Sequence, residues 1–170
     1  LPLPLVLDAD GLNAFAGCAA SLRERSAPTI LTPHSGELAR LLETTSAEIE
    51  ADRLGSVARA AEDTGAVVIL KGPRSLIASS GSLGERGREI WINPTGNAAM
   101  ATGGSGDVLT GLLVALLAQG VEAWDAARLC VYLHGLAGDL GAEATSGPAL
   151  PASALVDFLG AAWAQLAQGR

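Results

Sequence analysis

The densest cluster of residues that could do chemistry lies in segment 93–107, which ends in Gly103-Gly104-Ser105-Gly106-Asp107. Glycines ahead of a helix let successive backbone N–H groups point at one spot, and the helix start carries the positive end of its dipole. This run therefore predicts an anion hole formed by residues 103–106. Asp107 falls in the first helical turn, where it can take a proton from a hydroxyl that attacks a phosphoryl group, or hold a metal ion.

A plainer interpretation of the same run is a glycine-rich loop followed by an acid that favours the helix dipole. The length of the glycine-rich approach favours the anion site over this alternative. The run is not a P-loop, because no lysine and hydroxyl pair follows the glycines and Asp107 stands where a cation would be expected.

A second cluster, Thr32-Pro33-His34-Ser35-Gly36-Glu37, follows a predicted strand. Open α/β sheets bind ligands at the carboxyl ends of their strands. His34 and Glu37 lie three residues apart at a helix start, so both can face one cleft. Pro33 and Glu37 are also residues that an ordinary helix start prefers, so this cluster alone leaves ligand binding and capping equally open.

Lys71 and Gly72 directly follow the strongest apolar run of the chain, 66–70. A lysine in this position can counter phosphate charge, and Gly72 permits close approach of a ligand to the backbone. A solvated lysine in a turn is the commoner explanation when nothing else indicates a site.

The end of the first predicted strand carries Asp8, Asp10 and Asn13. Their side chains can hold a polar ligand or a metal-bound water, or they can cap the helix that follows. Polar residues or glycines thus follow four separate strand ends, and one shared cleft explains this better than four unrelated turns. His134 lies among apolar residues of a predicted helix, which is typical of a core or interface histidine rather than a ligand.

Apolar runs that alternate with amphipathic stretches predict an α/β layer fold with a largely parallel sheet, in one domain over residues 1–170. The predicted strands are 5–7, 29–31, 66–70, and a hairpin of 76–78 and 89–93 around a glycine-rich turn at 80–87. The predicted helices are 35–42, 45–64 with a capping box at its start, 105–119, 122–141 and 152–168.

Composition excludes several classes of function. Hydrophobic residues make up 49% and charged residues 17% of the 170 residues, which excludes a disordered chain. A net charge of −7 argues against nonspecific binding to nucleic acid or to an anionic membrane. No apolar run is long enough to cross a bilayer, and Cys18 and Cys130 are too few for a disulfide framework, so we expect a cytoplasmic protein.

Taken in order, four motifs resemble those of the nucleotide-dependent (6S)-NAD(P)H-hydrate dehydratases, a family of the ribokinase-like superfamily, and the resemblance covers essentially the whole chain. The Thr-Pro-His-x-Gly-Glu motif together with the long Asn-to-Asp motif is specific, whereas Gly-Ser-Gly-Asp alone indicates only the superfamily. The motifs are Leu7-Asp8-Ala9-Asp10-Gly11-Leu12-Asn13, Thr32-Pro33-His34-Ser35-Gly36-Glu37, Val68-Ile69-Leu70-Lys71-Gly72 and Asn97-Ala98-Ala99-Met100-Ala101-Thr102-Gly103-Gly104-Ser105-Gly106-Asp107.

The resemblance implies a ribokinase-like layered fold and a reaction that consumes ADP or ATP to remove water from the hydrated nicotinamide ring of NADH or NADPH. It implies that Asp107 is catalytic, that His34, Asn13 and Asp107 bind the hydrated dinucleotide, and that Glu37 acts through a magnesium–water network. Mg²⁺ is the natural companion of phosphoryl transfer. The nucleotide is expected to contact Gly106 and a loop formed by Lys71, Gly72, Pro73, Arg74 and Ser75.

The chain departs from the family pattern in two respects. Family members usually carry a further N-terminal stretch with glycine-rich strand ends, so we expect this sequence to be the C-terminal portion of a longer domain. Pro73 and Arg74 replace the small residues expected in the nucleotide loop, which leaves the choice between ADP and ATP open. Many bacterial relatives are fused to an NAD(P)H-hydrate epimerase, and the apolar helices after Gly120 suit either a homo-oligomer or packing inside the fold.

Two other functions compete with the dehydratase. A ribokinase-like phosphotransferase acting on a small alcohol, such as a sugar or vitamin precursor, would use the same anion hole and Asp107. Pro33-His34 and the stretch 97–100 match the dehydratase pattern better. A nucleotide-binding fragment without activity is the third hypothesis. We therefore expect a dehydratase with small-molecule substrates and with no nucleic-acid or membrane partner.

Overall fold

The computed structural model describes residues 2–80, 89–145 and 147–169. Short strands alternate with helices along this part of the chain. The strands are β1 (Leu5–Leu7), β2 (Thr29–Leu31), β3 (Val67–Leu70), β4 (Leu76–Ala78) and β5 (Ile90–Ile92). The α-helices are α1 (Ala9–Asn13), α2 (Ser35–Leu41), α3 (Ser46–Ala51), α4 (Arg53–Thr64), α5 (Ser105–Ala118), α6 (Ala123–Thr145) and α7 (Ala152–Ala167), with 3-10 helices at Ala19–Glu24 and Ala98–Met100.

The strands form one sheet in the order β1-β2-β3-β4-β5. β2 runs parallel to both β1 and β3, with Leu31 opposite Val68. β4 turns back along β3, and β5 pairs antiparallel with β4, with Ile77 opposite Trp91. The predicted α/β fold and hairpin are confirmed. The predicted hairpin turn falls, from residue 81 onward, outside the described residues.

The central strands bury side chains on both faces of the sheet. On β3, Val68 and Leu70 belong to a cluster with apolar side chains of α2 and α4, while Val67 and Ile69 belong to a second cluster with those of α5 and α6. Because successive side chains of a strand point to opposite faces, this division gives three layers, helix, sheet and helix. It also explains why the strand reads as an unbroken apolar run.

The single helix predicted over 45–64 is wrong in its middle, because the structure has two helices that meet at Asp52. The predicted capping box at Thr45 does open the first of them, α3. The backbone of Asp52 leaves the helical region at φ −141° and ψ 73°, and its carboxylate accepts a hydrogen bond from the Gly55 N–H at 2.9 Å. Aspartate is a favoured N-cap, so the chain starts a new helix there and places Arg53 at its first position.

Smaller differences concern the other helices. The helix predicted to end at 141 continues as α6 to Thr145, while Gly120 follows α5 with φ +83°, as its predicted capping role requires. The 3-10 helix at Ala19–Glu24 was not predicted. Across the described residues, no helix combines the length and the apolar character that a membrane span needs.

Candidate functional site

The carboxyl ends of the parallel strands bring together side chains that lie far apart in sequence. Lys71 Nζ, just after β3, lies 2.6 Å from Asp8 Oδ1, just after β1, and 3.6 Å from Glu37 Oε2 in α2. Thr110 of α5 donates a hydrogen bond to the other oxygen of Asp8 at 3.2 Å. A Cβ on Gly106 would lie 3.5 Å from both Asp8 Oδ2 and Lys71 Nζ, so the start of α5 borders this group. The segments that we expected to share a cleft therefore meet at one edge of the sheet.

Asp8 neutralises the ammonium group of Lys71, a pairing that was not predicted from the sequence. Burial of Asp8 opposes its ionisation and raises its pKa, but the hydrogen bond and positive charge of Lys71, together with hydrogen bonds from Ala9 and Thr32, outweigh this, so the pKa of Asp8 is lowered overall. Lys71 thus ties the end of β1 to the end of β3. Its contact with a nucleotide stays a prediction.

Asn13, at the end of α1, has both ends of its amide engaged. Its Oδ1 accepts a hydrogen bond from Arg40 Nε at 2.7 Å, and its Nδ2 donates to Asp10 Oδ1 at 3.2 Å. These contacts fix the orientation of Asn13 and add Arg40 of α2 to its surroundings. Binding of a substrate by Asn13 stays a prediction.

His34 is the N-cap of α2. Its Nδ1 accepts hydrogen bonds from the N–H groups of Gly36 and Glu37 at 2.9 and 3.2 Å, and Glu37 Oε2 accepts from the His34 N–H at 2.7 Å. Because Nδ1 is an acceptor, the proton of the neutral ring sits on Nε2, which lies 3.4 Å from Glu37 Oε1. The His34 side chain is 55% exposed, so it can cap the helix and still face a ligand.

We expect Gly36→Ala to destabilise α2 and His34→Asn to leave its stability nearly unchanged. A Cβ at position 36 would lie 2.9 Å from His34 Cε1 and 3.2 Å from its Nδ1, so the alanine displaces the ring and removes a cap worth about 1 kcal/mol. Asparagine at position 34 keeps a capping side chain but removes the imidazole. Urea unfolding measures the free energy of unfolding, and calorimetric titration with hydrated NADH measures binding, which we expect His34→Asn to weaken. Equal destabilisation by both substitutions would contradict this division of roles.

The amino end of α5 has no side-chain cap. Its N-cap, Gly104, has φ +89°, a left-handed conformation that glycine adopts without strain, and Gly103 precedes it with no atom within 4 Å of where its Cβ would be. Within the first helical turn, the Ser105 N–H donates to the Thr102 carbonyl at 3.3 Å, whereas the Gly106 N–H has no acceptor among the described residues and is available to an anion at this uncapped end. The helices α1 to α4 differ, because each has a side-chain N-cap, from Asp8, His34, Thr45 and Asp52 respectively.

Asp107 lies exposed in the first turn of α5. Its backbone N–H donates to the Gly104 carbonyl at 3.0 Å. In the part of the chain that the structure describes, no group donates to its carboxylate. An exposed carboxylate without a partner, beside an uncapped helix start, is available to accept a proton from a substrate hydroxyl.

Hydrogen bonds to α6 and to the residue that precedes the N-cap of α7 hold the segment that leads to this helix start. Asp139 of α6 accepts from the Gly96 N–H at 2.9 Å and from Asn97 Nδ2 at 2.8 Å. Thr102 Oγ1 donates to the Leu150 carbonyl at 2.8 Å. Asp139 was not predicted as a site residue, because its position within a helix gives no signal of this contact.

A row of glycines on α6 makes room for the same segment. A Cβ on Gly135 would lie 2.3 Å from Thr95 Oγ1, and one on Gly138 would lie 2.1 Å from Met100 Sδ. A Cβ on Gly141 would likewise lie 2.6 Å from Leu150 Cδ2. The spacing of three residues was a readable signal that these glycines share one helix face, but it could not say what lies against them.

His134 supports the start of α5 from α6. Its Nε2–H donates to the Ser105 carbonyl at 2.9 Å. Burial lowers the pKa of His134, and the hydrogen bond to Ser105 offsets only part of this effect, so the ring is neutral over a wider pH range than a free histidine. His134 is partly buried and contacts protein groups of α5, a position that suits a packing role.

The stability of the protein is expected to fall below about pH 6.5 because of His134. Its pKa in the folded state is lower than the ordinary 6.5, so the unfolded chain binds a proton first as the pH decreases. The contribution is therefore complete above that value and is lost as the pH falls toward the folded-state pKa. Glutamine keeps a donor for Ser105 and does not titrate, so His134→Gln should show a smaller decrease in unfolding temperature between about pH 7 and about pH 5 in scanning calorimetry. An identical decrease in wild type and variant would contradict this assignment.

The loop after β3 contains two residues with left-handed backbone angles, Gly72 at φ +140° and Arg74 at φ +51°. The Lys71 N–H donates to the Pro33 carbonyl at 2.8 Å, which fastens this loop to the one before α2. Ser75 Oγ donates to the Gly72 carbonyl at 3.1 Å. Residues 72–74, which include Pro73, are exposed to solvent. The loop lies at the same edge of the sheet as the rest of the site.

Comparison with known proteins places these features in a family. A family model described as NAD(P)H-hydrate dehydratase, of the carbohydrate-kinase type, matches residues 2–159. The chain is 48% identical over 157 residues to the bifunctional NAD(P)H-hydrate repair enzyme of Moorella thermoacetica, covering 92% of this chain and 28% of that protein. It is 46% identical over 139 residues to the ADP-dependent (S)-NAD(P)H-hydrate dehydratase of Neisseria meningitidis serogroup B, covering 81% of this chain and 45% of that protein.

Solved structures give the same result for the fold. The ADP/ATP-dependent NAD(P)H-hydrate dehydratase of Bacillus subtilis, co-crystallized with ATP and Mg²⁺, superposes with a TM-score of 0.82 at 31% identity, covering 96% of this chain and 55% of that one. A ribokinase-like superfamily protein from Enterococcus faecalis superposes with a TM-score of 0.70 at 27% identity, covering 92% of this chain and 51% of that one. The expected ribokinase-like fold is confirmed.

The chain spans less than half the length of either curated relative, 28% in one and 45% in the other. The family model nevertheless covers residues 2–159, and all four motifs that carry the resemblance lie within that range. The chain therefore belongs to the NAD(P)H-hydrate dehydratase family.

Proposed function

We propose that this chain supplies the acid–base group and the nucleotide site of an enzyme that dehydrates (6S)-hydrated NADH or NADPH and consumes ADP or ATP. The observation that carries the proposal is the exposed Asp107 carboxylate, which has no partner among the described residues and stands beside the uncapped start of α5. Membership of the dehydratase family supports this activity over a phosphotransferase acting on a small alcohol, which would use the same two features.

In the first chemical step, Asp107 accepts the proton of the hydroxyl on C6 of the hydrated ring while that oxygen attacks the terminal phosphorus of the nucleotide. An O–P bond forms as the P–O bond to the departing nucleotide breaks, which gives AMP from ADP or ADP from ATP. The Gly106 N–H and the dipole at the start of α5 stabilise the negative charge on the transferred phosphoryl group. Phosphorylation converts a hydroxyl, a poor leaving group, into a phosphate, a good one.

In the second step, the lone pair of the ring nitrogen expels the phosphate, which leaves with the electrons of its C–O bond. Loss of the adjacent C5 proton to water then restores the reduced nicotinamide ring. The products are NAD(P)H, inorganic phosphate and the shortened nucleotide, so atoms and charge balance without an oxidant or reductant. The protein's part in this step is to hold the ring and to keep the phosphate at the helix start.

The remaining site residues bind and orient the two substrates. We assign the hydrated dinucleotide to His34, Asn13 and Asp107, and the nucleotide to Gly106 and the loop 71–75. The His34 ring is oriented by capping α2 and is exposed to solvent. The Asn13 amide is oriented by its hydrogen bond from Arg40. Both side chains therefore have defined orientations at the same edge of the sheet.

Mg²⁺ fits this site as an ion held mainly by the nucleotide. Among the described residues, no group of three or more histidine, cysteine, aspartate or glutamate side chains is placed to hold a metal ion. Mg²⁺ usually keeps several waters and takes few protein ligands beside substrate phosphates. Glu37 Oε2 accepts a hydrogen bond from the His34 N–H and lies 3.6 Å from Lys71 Nζ, and we assign it to act on the ion through water. Asp107 offers a second carboxylate. When bound, the ion supplies neutralisation of phosphate charge.

Several further assignments belong to this proposal. We assign residues 1–170 to one carbohydrate-kinase-like domain, the C-terminal portion of a longer one, that works with or is fused to an NAD(P)H-hydrate epimerase, as the bifunctional relatives support. We also assign the protein to the cytoplasm and to a homo-oligomer. The exposed Trp163 and Val156 on α7, 49% and 53% exposed, support the oligomer, since they offer apolar surface to a second copy.

The test is to add ADP or ATP with magnesium to hydrated NADH and to follow the near-ultraviolet absorbance of the reduced ring. This chain and the longer natural protein to which we assign it are assayed side by side. We expect absorbance to return only with nucleotide, and the more effective nucleotide identifies the phosphate donor. Nucleotide binding without any return of absorbance by the full protein would refute the dehydratase and direct the search to small alcohols.

A further inference from the structure

Arg53 is a largely buried cation to which the proposed function assigns no role. It is the first residue of α4, its side chain is 18% exposed, and its Nη1 lies 3.2 Å from Glu50 Oε1. Its Nη2 is buried and has no hydrogen-bond partner among the described residues. Because burying a donor without an acceptor costs stability, the ion pair with Glu50 alone does not explain this position.

The guanidinium of Arg53 lies against Gly72 in the loop after β3. A Cβ on Gly72 would stand 2.8 Å from Nη1, 3.1 Å from Nη2 and 3.4 Å from Cζ of Arg53. Gly72 is exposed to solvent, so the guanidinium supports the loop from the inner side while the outer side stays open. With φ +140°, Gly72 holds a conformation that other residues rarely adopt, and the guanidinium fills the space that a side chain there would need.

Glu50 connects Arg53 to a second part of the site, the start of α2. Its Oε1 accepts hydrogen bonds from both Arg53 Nη1 and Ser35 Oγ. Ser35 is the first residue of α2 and directly follows His34. A chain of side-chain contacts, Ser35 to Glu50 to Arg53 to Gly72, therefore joins the start of α2 to the loop after β3.

We propose that Arg53 is a positioning residue for the nucleotide, which holds Gly72 so that the loop after β3 keeps the backbone conformation that meets the nucleotide phosphates. The inference rests on the proposed binding of a nucleotide by this loop. Because Nη2 is buried beneath the loop, Arg53 acts through Gly72 and not by contact with the phosphates. Its loss should therefore weaken nucleotide binding and spare the proton transfer at Asp107.

The test compares Arg53→Met with Arg59→Met in the full natural protein. Methionine keeps much of the apolar stem of arginine, and Arg59 lies on the same helix with an exposed ion pair to Asp63 at 3.3 Å. For Arg53→Met we expect the dissociation constant and the KM for ADP to rise about tenfold, with kcat within about twofold of wild type. Arg59→Met should leave all three quantities unchanged. A structural role alone would lower the unfolding temperature without this split between KM and kcat.

Two milder substitutions keep the test decisive if Arg53→Met does not fold. Arg53→Lys keeps the charge but loses the planar group that covers Gly72. Glu50→Gln weakens the ion pair that orients the guanidinium. We expect both substitutions to weaken ADP binding by about threefold or more. ADP affinity equal to wild type in every folded variant would overturn the positioning role while leaving the proposed function intact. Failure of the wild-type protein to bind either ADP or ATP would overturn both.

Discussion

Asp107→Asn is expected to lower kcat for dehydration about a thousandfold while the affinity for ADP stays within about twofold of wild type. Asparagine has nearly the same size as aspartate, but its amide cannot accept the proton of the ring hydroxyl. The Asp107 carboxylate is exposed and receives no hydrogen bond from the described residues, so the substitution removes no contact that holds the fold. The return of near-ultraviolet absorbance gives kcat, and titration with ADP gives the affinity.

Asp125→Asn is the matched control for this prediction. Asp125 stands in the first turn of α6 as Asp107 stands in the first turn of α5, and its carboxylate lies 3.7 Å from Arg128 Nη1 on the surface. If Asp107 served only to complement the helix dipole, both substitutions would cost a similar few tenths of a kcal/mol and leave turnover intact. Full activity in Asp107→Asn would therefore refute the catalytic role and favour a binding module.

The convergence of the site could be predicted from the sequence because it follows from topology. Asp8, Lys71 and the start of α2 each come directly after a predicted strand, and parallel strands place their carboxyl ends at one edge of the sheet. Pairing Asp8 with Lys71 could not be predicted. That contact depends on which strands are neighbours and on their register, neither of which a single strand's pattern contains.

Local features were predictable where one residue type settles the conformation. The capping box at Thr45 has a definite sequence signature, and the structure contains it. Asp52 also matches an N-cap, but it sits inside a continuous helical pattern, so the sequence alone does not show that its carboxylate caps a new helix there. Arg53 lies beside Gly72 because the helix breaks at Asp52, so the role of Arg53 could not be predicted from the sequence either.

Gly135→Ala is expected to lower the free energy of unfolding by about 3 kcal/mol and to reduce dehydration in the folded fraction. A Cβ at this position would lie 2.3 Å from Thr95 Oγ1, 2.8 Å from Thr95 C and 2.9 Å from Gly96 N. Two of these three atoms belong to the backbone, which cannot rotate away as a side chain can, so the whole segment must move off α6. That segment leads to the start of α5, and its displacement breaks the hydrogen bond from the Gly96 N–H to Asp139.

Gly160→Ala separates this steric effect from the helix propensity of alanine. Gly160 lies within α7 and has no atom within 4 Å of where its Cβ would be, so alanine there should stabilise the protein by about 0.5 to 1 kcal/mol. Gly138→Ala provides an intermediate case, because its Cβ would meet the flexible side chain of Met100 rather than backbone. We therefore expect urea unfolding to rank the stabilities as Gly160→Ala, then Gly138→Ala, then Gly135→Ala. A Gly135→Ala protein as stable as wild type would mean that segment 93–102 is not held against α6, and the anchoring of the anion site on that helix would have to be abandoned.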